Sequence, residues 1–442
     1  MFPFKASAVG LLLALQCVTA SCVDAQAFTE PDPSLIDHAD IVRVISTLAA
    51  DDMEGRASFT EAAERAADFI AGEFAGAGIQ MVPGADGYLQ RFPVYSVVAG
   101  DATVTVNGSV LDEDQIAVRM GAESLSWGTG DADLLVVGPD DDPQQMIFGR
   151  LRAGGDAMVL LDPSHAPFLS GRMGRFVTGA TRTLDLAGGS SIVIALVQAA
   201  PDATYQVEAT ANITEDPLMN VVGMIPGVRS DEIVLFSGHY DHVGVRSGME
   251  GDSIFNGAND DASGTAAVVA LAKYYAQRGT PERTLMFAAF TAEESGGYGS
   301  QYFSSQLDPD QIVAMFNIEM IGKPAVEGPN TAWITGFDQS SFGAILQQAV
   351  AGTEYEFYSD PYPEQNLFYR SDNATLARLG VPAHSISTTP IDVDADYHQA
   401  SDEVSTLDLD HMTATIRAIA MGAETIITGE ATPTRVDPAI LN

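Results

Sequence analysis

The sequence predicts an α/β protein: a mixed, mostly parallel sheet flanked by helices, with a β-rich domain inserted near its start. Three observations lead there. Short apolar runs recur at Ile233–Phe236, Leu285–Phe290 and Ile312–Phe316, with the length and composition of strands buried on both faces. Between the first two, Gly264–Gln277 carries an Ala/Val/Leu/Tyr pattern whose length suits a covering helix. Each run also leads into polar residues of metal-ligand type, where sites on such sheets form, just beyond the carboxyl ends of the strands.

Taken in order, residues 1–27 read as a secretory signal. Lys5 is the one early charge, Ala8–Leu15 is apolar, and Ala25-Gln26-Ala27 offers a small-x-small cleavage site. Cleavage there removes both Cys17 and Cys22 and leaves no disulfide or thiolate ligand, and no membrane span. The expected location is secreted or periplasmic. A competing reading makes Cys22 a lipid-anchoring acceptor, although Thr19 stands where a larger aliphatic residue is usual.

Residues 28–95 form the N-terminal segment of the main domain. Helical patterning over 37–80 puts Ile41, Val44, Ile45 and Leu48 on one face and Ala63 to Phe74 on another. The inserted domain is expected over 96–212, with strands near Ala102–Val106, Leu134–Val137, Met158–Leu161 and Ile192–Leu196. Its Pro139-Asp140-Asp141-Asp142-Pro143 run fits a solvated turn better than a calcium loop. The main domain resumes over 213–430, closes with a packed helix at Leu407–Thr428, and leaves a tail at 431–442.

With 60 acidic against 21 basic residues the chain carries a formal charge of −39. Such a field repels nucleic acid and anionic membrane, which argues against both as partners. A hydrophobic content of 46% supports a packed core.

Five clusters carry the chemistry: Ser237-Gly238-His239-Tyr240-Asp241-His242, Asn259 to Gly264, Glu293-Glu294, Asn317-Ile318-Glu319-Met320, and Asp396-Tyr397-His398. Imidazoles and carboxylates are the ligand set of catalytic zinc. Asp241, two residues after His239, is placed to hold an imidazole from behind. Asp261 and Ser263 read as caps for the following helix, and Asp260 as a carboxylate bridging two ions. Adjacent residues leaving a strand project differently, so one of Glu293 and Glu294 can bind metal while the other faces substrate as a proton shuttle. Glu319 ends an apolar run, where a carboxylate needs a metal or a basic partner.

In this order the clusters resemble the M28 family of zinc peptidases, the aminopeptidase type with paired zinc ions. The resemblance runs from about Asn220 to Asp410. Asp51-Asp52-Met53-Glu54-Gly55-Arg56 and Gly87-Tyr88-Leu89-Gln90 are similar to the entry segment of secreted members, and the insertion to their protease-associated domain. It implies a zinc-exopeptidase-like fold and two zinc ions per chain. One ion falls to His239, Glu319 and Asp260, the other to Glu294, His398 and the same Asp260. Glu293 becomes the general base, Asp241 a residue behind the ligands, and Tyr397 a stabiliser of the oxyanion. Many members have Asp where this chain has Glu319, and Ser371-Asp372-Asn373 departs from a His-containing version. The implied activity is release of N-terminal amino acids from peptide or protein substrates. Rival readings are a one-zinc glutaminyl cyclase, a carboxypeptidase, or a non-catalytic binding ectodomain.

Overall fold

The computed structural model describes residues 27–198 and 200–441. The expected secretory signal, Ala27 apart, and both cysteines lie outside the described residues. Among the described residues no helix is long and apolar enough to cross a membrane.

The centre is one mixed sheet. Its main path runs Glu356–Ser359, Thr331–Ile334, Ala383–Ser387, Ile312–Ile318, Arg229–His239, Arg283–Phe290, Tyr205–Ile225, Leu89–Val106 and Ser109–Val110. The three inner strands foreseen from apolar runs pair in parallel, Arg229–His239 lying between Arg283–Phe290 and Ile312–Ile318. Side chains alternate across the sheet as the two-residue period demands. Val234, Phe236, Leu285, Phe287, Ala314 and Phe316 enter the core on one face. Ile233, Leu235, Met286, Phe290 and Met315 enter the core on the other. Phe236 stacks on Phe287 and Phe316 at ring separations of 5.6 and 4.9 Å, which fixes the register of the three strands.

Helix Ser263–Ala276 is buried along almost its whole length and packs on the first face with His38–Leu48, Glu61–Gly76 and Leu409–Ile427. An apolar helix on all sides needs such enclosure. The 37–80 stretch is therefore two helices, separated by the turn at Asp51–Arg56.

Two long strands, Leu89–Val106 and Tyr205–Ile225, pair antiparallel from Leu89↔Val221 to Val106↔Tyr205. They begin in the central sheet and run on into the insertion, so the positions 95/96 and 212/213 fall within continuous strands. The insertion also holds a four-stranded sheet, ordered Ile116–Arg119, Ile192–Leu196, Ala157–Leu161 and Asp133–Val137. Three helices accompany it: Pro143–Ala153, Ala166–Ser170 and Arg172–Val177. The acidic run is a turn and a cap: Asp141 accepts from Gly138 N, and Asp142 from Gln144 N and Gln145 N. Leu184 of the insertion packs with Phe59 and Tyr298 around Phe92, Leu218 and Ala292, next in chain to Glu293.

Candidate metal centre

Parallel pairing brings the polar clusters together. His239 closes its strand opposite Phe290, and Ser237 lies opposite Asn317, so His239, Glu293-Glu294 and Glu319 emerge from neighbouring strand ends. The Asn259–Asp261 turn leads into the buried helix. His398 arrives on a loop.

Asp260 sits between two imidazoles. Its Oδ1 lies 3.2 Å from His239 Nε2, and its Oδ2 lies 3.2 Å from His398 Nε2. Glu294 Oε1 is 3.2 Å from His398 Nε2 and 2.8 Å from His242 Nδ1. His239 Nε2, both His242 nitrogens and Glu294 Oε1 are nonetheless buried without an aligned hydrogen-bond partner. Ligands about 2.0 Å from a tetrahedral zinc stand about 3.3 Å apart. The spacing and the unpartnered atoms thus suit donors converging on cations better than donors bonded to each other. His242, Asp260 and Glu294 can bring one ligand atom each within 4.8 Å of one another.

Surrounding groups hold these side chains in place. His239 Nδ1 is 3.1 Å from the Asp241 carbonyl, which makes Nδ1 the protonated nitrogen and leaves Nε2 with a free lone pair. It is thus the backbone of Asp241 that holds the ring. The Asp241 carboxylate, 3.8 Å from Nδ1, instead accepts from Ser58 Oγ and from the backbone N of Glu293. Asp402 accepts from the backbone N of Asn259 and Asp260 at 2.9 and 3.1 Å. Asp261 accepts from Gly264 N, as a helix cap does, and also from His239 N and Met320 N, tying three clusters to one carboxylate. Ser263 does not cap: its hydroxyl donates to Asn259 O and accepts from Ile321 N. Among the described residues no Lys or Arg pairs with Glu319, whose Oε2 lies 3.4 Å from Asn317 Nδ2. Ala292, Met320 and His398 all adopt positive φ, at 60°, 55° and 54°. Such residues need surrounding structure to hold them.

The two adjacent glutamates differ electrostatically. Burial, then the charges of Glu319, Asp372 and Glu294, raise Glu293 well above the ordinary carboxylate range against the pull of His239. Burial also works to raise Glu294, but its contacts with His242 and His398 outweigh it and the pKa falls. A pair pushed apart in this way divides into proton carrier and permanent anion. Burial opposes the negative charge of Asp260, yet His239 and His398 hold its pKa well below the usual value. Tyr397, stacked on His398 at 4.0 Å, is raised by burial and by Asp260, Glu294 and Glu319, so it remains a donor.

All eight residues expected from the sequence, His239, Asp241, Asp260, Glu293, Glu294, Glu319, Tyr397 and His398, are brought to one place. A cavity of about 260 Å³ opens on Asp260, Glu293, Glu294, Glu319, Tyr397 and His398 and has Met320, Trp333, Leu367 and Ile391 among its wall residues. His242 stands in the first cluster without an assigned role, and Asp402, four residues after His398, lies outside the five clusters. Asp372, noted in the sequence only within a turn that departs from the family's version, is buried with both carboxylate oxygens unpartnered.

Residues 220–423 match the model of peptidase family M28. This part of the chain resembles an M28 peptidase domain. It is 30% identical over 205 residues to leucine aminopeptidase 1 of Trichophyton rubrum, covering 44% of this chain and 54% of that one. The chain thus spans about half the length of the curated relatives it matches. The fold is shared with a zinc aminopeptidase from Bacillus subtilis at a TM-score of 0.54 and 17% identity, covering 90% of this chain and 97% of that one. An aminopeptidase from Aneurinibacillus sp. strain AM-1 aligns at 0.52 and 16%, covering 89% and 94%.

Proposed function

We propose that this chain is a two-zinc aminopeptidase that removes N-terminal residues from peptides. The observation that carries this reading is the divided carboxylate of Asp260, one oxygen 3.2 Å from His239 Nε2 and the other 3.2 Å from His398 Nε2. His239 and Glu319 would complete one ligand set with Asp260, and Glu294 and His398 the other. Bound zinc would supply Lewis-acid polarisation of the scissile carbonyl and acidify a water. The remaining steps belong to the protein. Glu293, with its raised proton affinity, takes a proton from the attacking water and delivers it to the leaving amine. Tyr397 Oη donates a hydrogen bond to the carbonyl oxygen as negative charge develops there. Glu293 and Glu319 on the cavity wall attract the ammonium group of a free N-terminus. Secretion, with the insertion as a protease-associated module, is the placement that the leading segment and chain order support.

The test pairs zinc content with turnover of aminoacyl anilides. Glu293→Gln should retain about two zinc ions and lose about 10²–10⁴-fold in kcat, because a proton carrier is removed and no ligand is. Near-normal turnover would sink the assignment of Glu293. A parent protein with one zinc would favour the cyclase, and one with none the binding ectodomain.

A further inference from the structure

Arg56 lies outside the matched M28 segment, yet it is fully buried beside the candidate centre. Its Nε donates to the Tyr240 carbonyl at 2.6 Å. Nη1 donates to the Leu48 and Asn256 carbonyls at 2.6 and 2.7 Å, and Nη2 to the Gly257 carbonyl at 2.9 Å. A guanidinium has five N–H donors, and here four end on backbone oxygens. Among the described residues no carboxylate pairs with it directly. Its facing charges are Asp241, Asp402, Asp260 and Asp261, which work against the burial that lowers its pKa to about 10. The group therefore stays cationic at neutral pH.

The positions of the acceptors matter more than their number. Tyr240 lies between His239 and Asp241, while Asn256 and Gly257 lead directly into Asn259 and Asp260. One planar fork thus grips both the loop that delivers His239 and the loop that delivers the divided carboxylate of Asp260. The surrounding contacts allow little adjustment. His242 N donates to Arg56 O, and Asn256 Nδ2 to Asp51 Oδ1. Gly257 has φ +56°, and a Cβ there would stand 2.3 Å from Asp260 O and 2.4 Å from His242 Cγ. Gly55 has φ +62°, and a Cβ there would stand 2.2 Å from Phe255 O.

We infer that Arg56 is a positioning residue of the metal centre: it clamps the His239 and Asp260 loops together and acts as the fixed counter-charge of the buried carboxylates behind them. The turn Asp51–Arg56 is then an obligate part of a centre whose ligands all lie far along the chain. This rests on the two-zinc reading, and the experiment separates the two.

Arg56→Lys keeps the charge but replaces the fork with a single ammonium, which cannot span both loops. Arg56→Met keeps the bulk and loses both charge and donors. Zinc affinity is measured by competition with a chelating dye on the full chain, and the visible spectrum is recorded after cobalt substitution. Residues that hold ligands from behind typically contribute about 10–100-fold to metal affinity. We expect Arg56→Lys to remain folded by circular dichroism, to bind zinc about tenfold more weakly and to shift the cobalt bands; Arg56→Met, where folded, should be weaker still. A purely structural role would lower the melting temperature of chelated protein and leave affinity and spectrum alone. Arg56→Lys with affinity within twofold of the parent and superimposable cobalt bands overturns the inference, and does so even if Arg56→Met fails to fold. A parent chain that binds neither metal overturns the two-zinc reading itself and the inference with it.

Discussion

His384 and His398 carry the same imidazole into two unlike regions. His384 lies inside the sheet, its Nδ1 2.8 Å from the Thr335 carbonyl and its Nε2 2.7 Å from the Ser340 hydroxyl, with the ring stacked on Phe342. Burial lowers its pKa to about 4, against the Thr335 hydrogen bond. His398 stands on the cavity wall, where the Asp260 and Glu294 carboxylates, each 3.2 Å from Nε2, push it up to about 10 despite partial burial. One region rejects positive charge and the other demands it. The difference shows where a cation can be held in this molecule. The sheet interior supplies rigidity, and the acidic well at its edge supplies the negative charge that the proposed metals or an ammonium group would meet.

The sharpest way to break this comparison is to empty the well of one of its buried imidazoles. His239→Ala leaves Asp260, Asp261, Glu293 and Glu319 facing one another without it. Removing one partner from a buried charged set costs about 3–5 kcal/mol. We expect a loss of that size in urea unfolding of the chelated protein. A loss below about 1 kcal/mol would mean that the well relaxes freely and that its geometry is not imposed by the fold.

A second measurement uses the opposite pKa displacements. The folded pKa of His384, about 4, lies below the ordinary 6.5, so the unfolded chain takes up the proton first as pH falls. The stability it contributes is full above about pH 6.5 and is lost progressively toward pH 4, by up to about 3 kcal/mol. His398 has the reverse sign. In chelated protein its contribution is full below about pH 6.5 and is lost as pH rises through about 10. Between pH 7 and 4 the chelated parent should therefore lose more stability than His384→Gln. Parallel curves would show that His384 is protonated inside the folded chain.

Much of this architecture was legible because its causes are local. The apolar runs at Ile233–Phe236, Leu285–Phe290 and Ile312–Phe316 are strands for the reason their composition suggests, and the residues after them are positioned by parallel pairing. What escaped depends on contacts distant in sequence. His242 and Asp402 gain their roles only when the His398 loop returns to the Asp260 turn, and Arg56 only when its turn packs beneath both. Ser263 looked like a cap, but Asp261 reaches the free amide of Gly264 first. The insertion read as β-rich although it holds a helix at Pro143–Ala153. Asp142 followed by Pro143 is a start signal that could have revealed it.

The smallest effect tests the one proposed ligand whose length is unusual for its family resemblance. Glu319 follows the Ile312–Ile318 strand directly and reaches the cavity from there. Burial, with Asp260 and Asp372, raises its pKa to about 7 against the pull of His239, so protons compete with metal for this carboxylate near neutrality. Glu319→Asp restores the more usual residue but draws the oxygens back by one methylene, in a well shaped for the longer chain. Displacements of about an ångström matter at such sites. We expect retained turnover and zinc affinity weaker by about tenfold, or about 1.4 kcal/mol. Glu319→Ala should lose the corresponding zinc altogether. Zinc titration of both apo-variants decides the matter. If both bind two ions as tightly as the parent, Glu319 is not a ligand. The missing carboxylate must then come from Asp372, which is buried beside the well with both oxygens unpartnered.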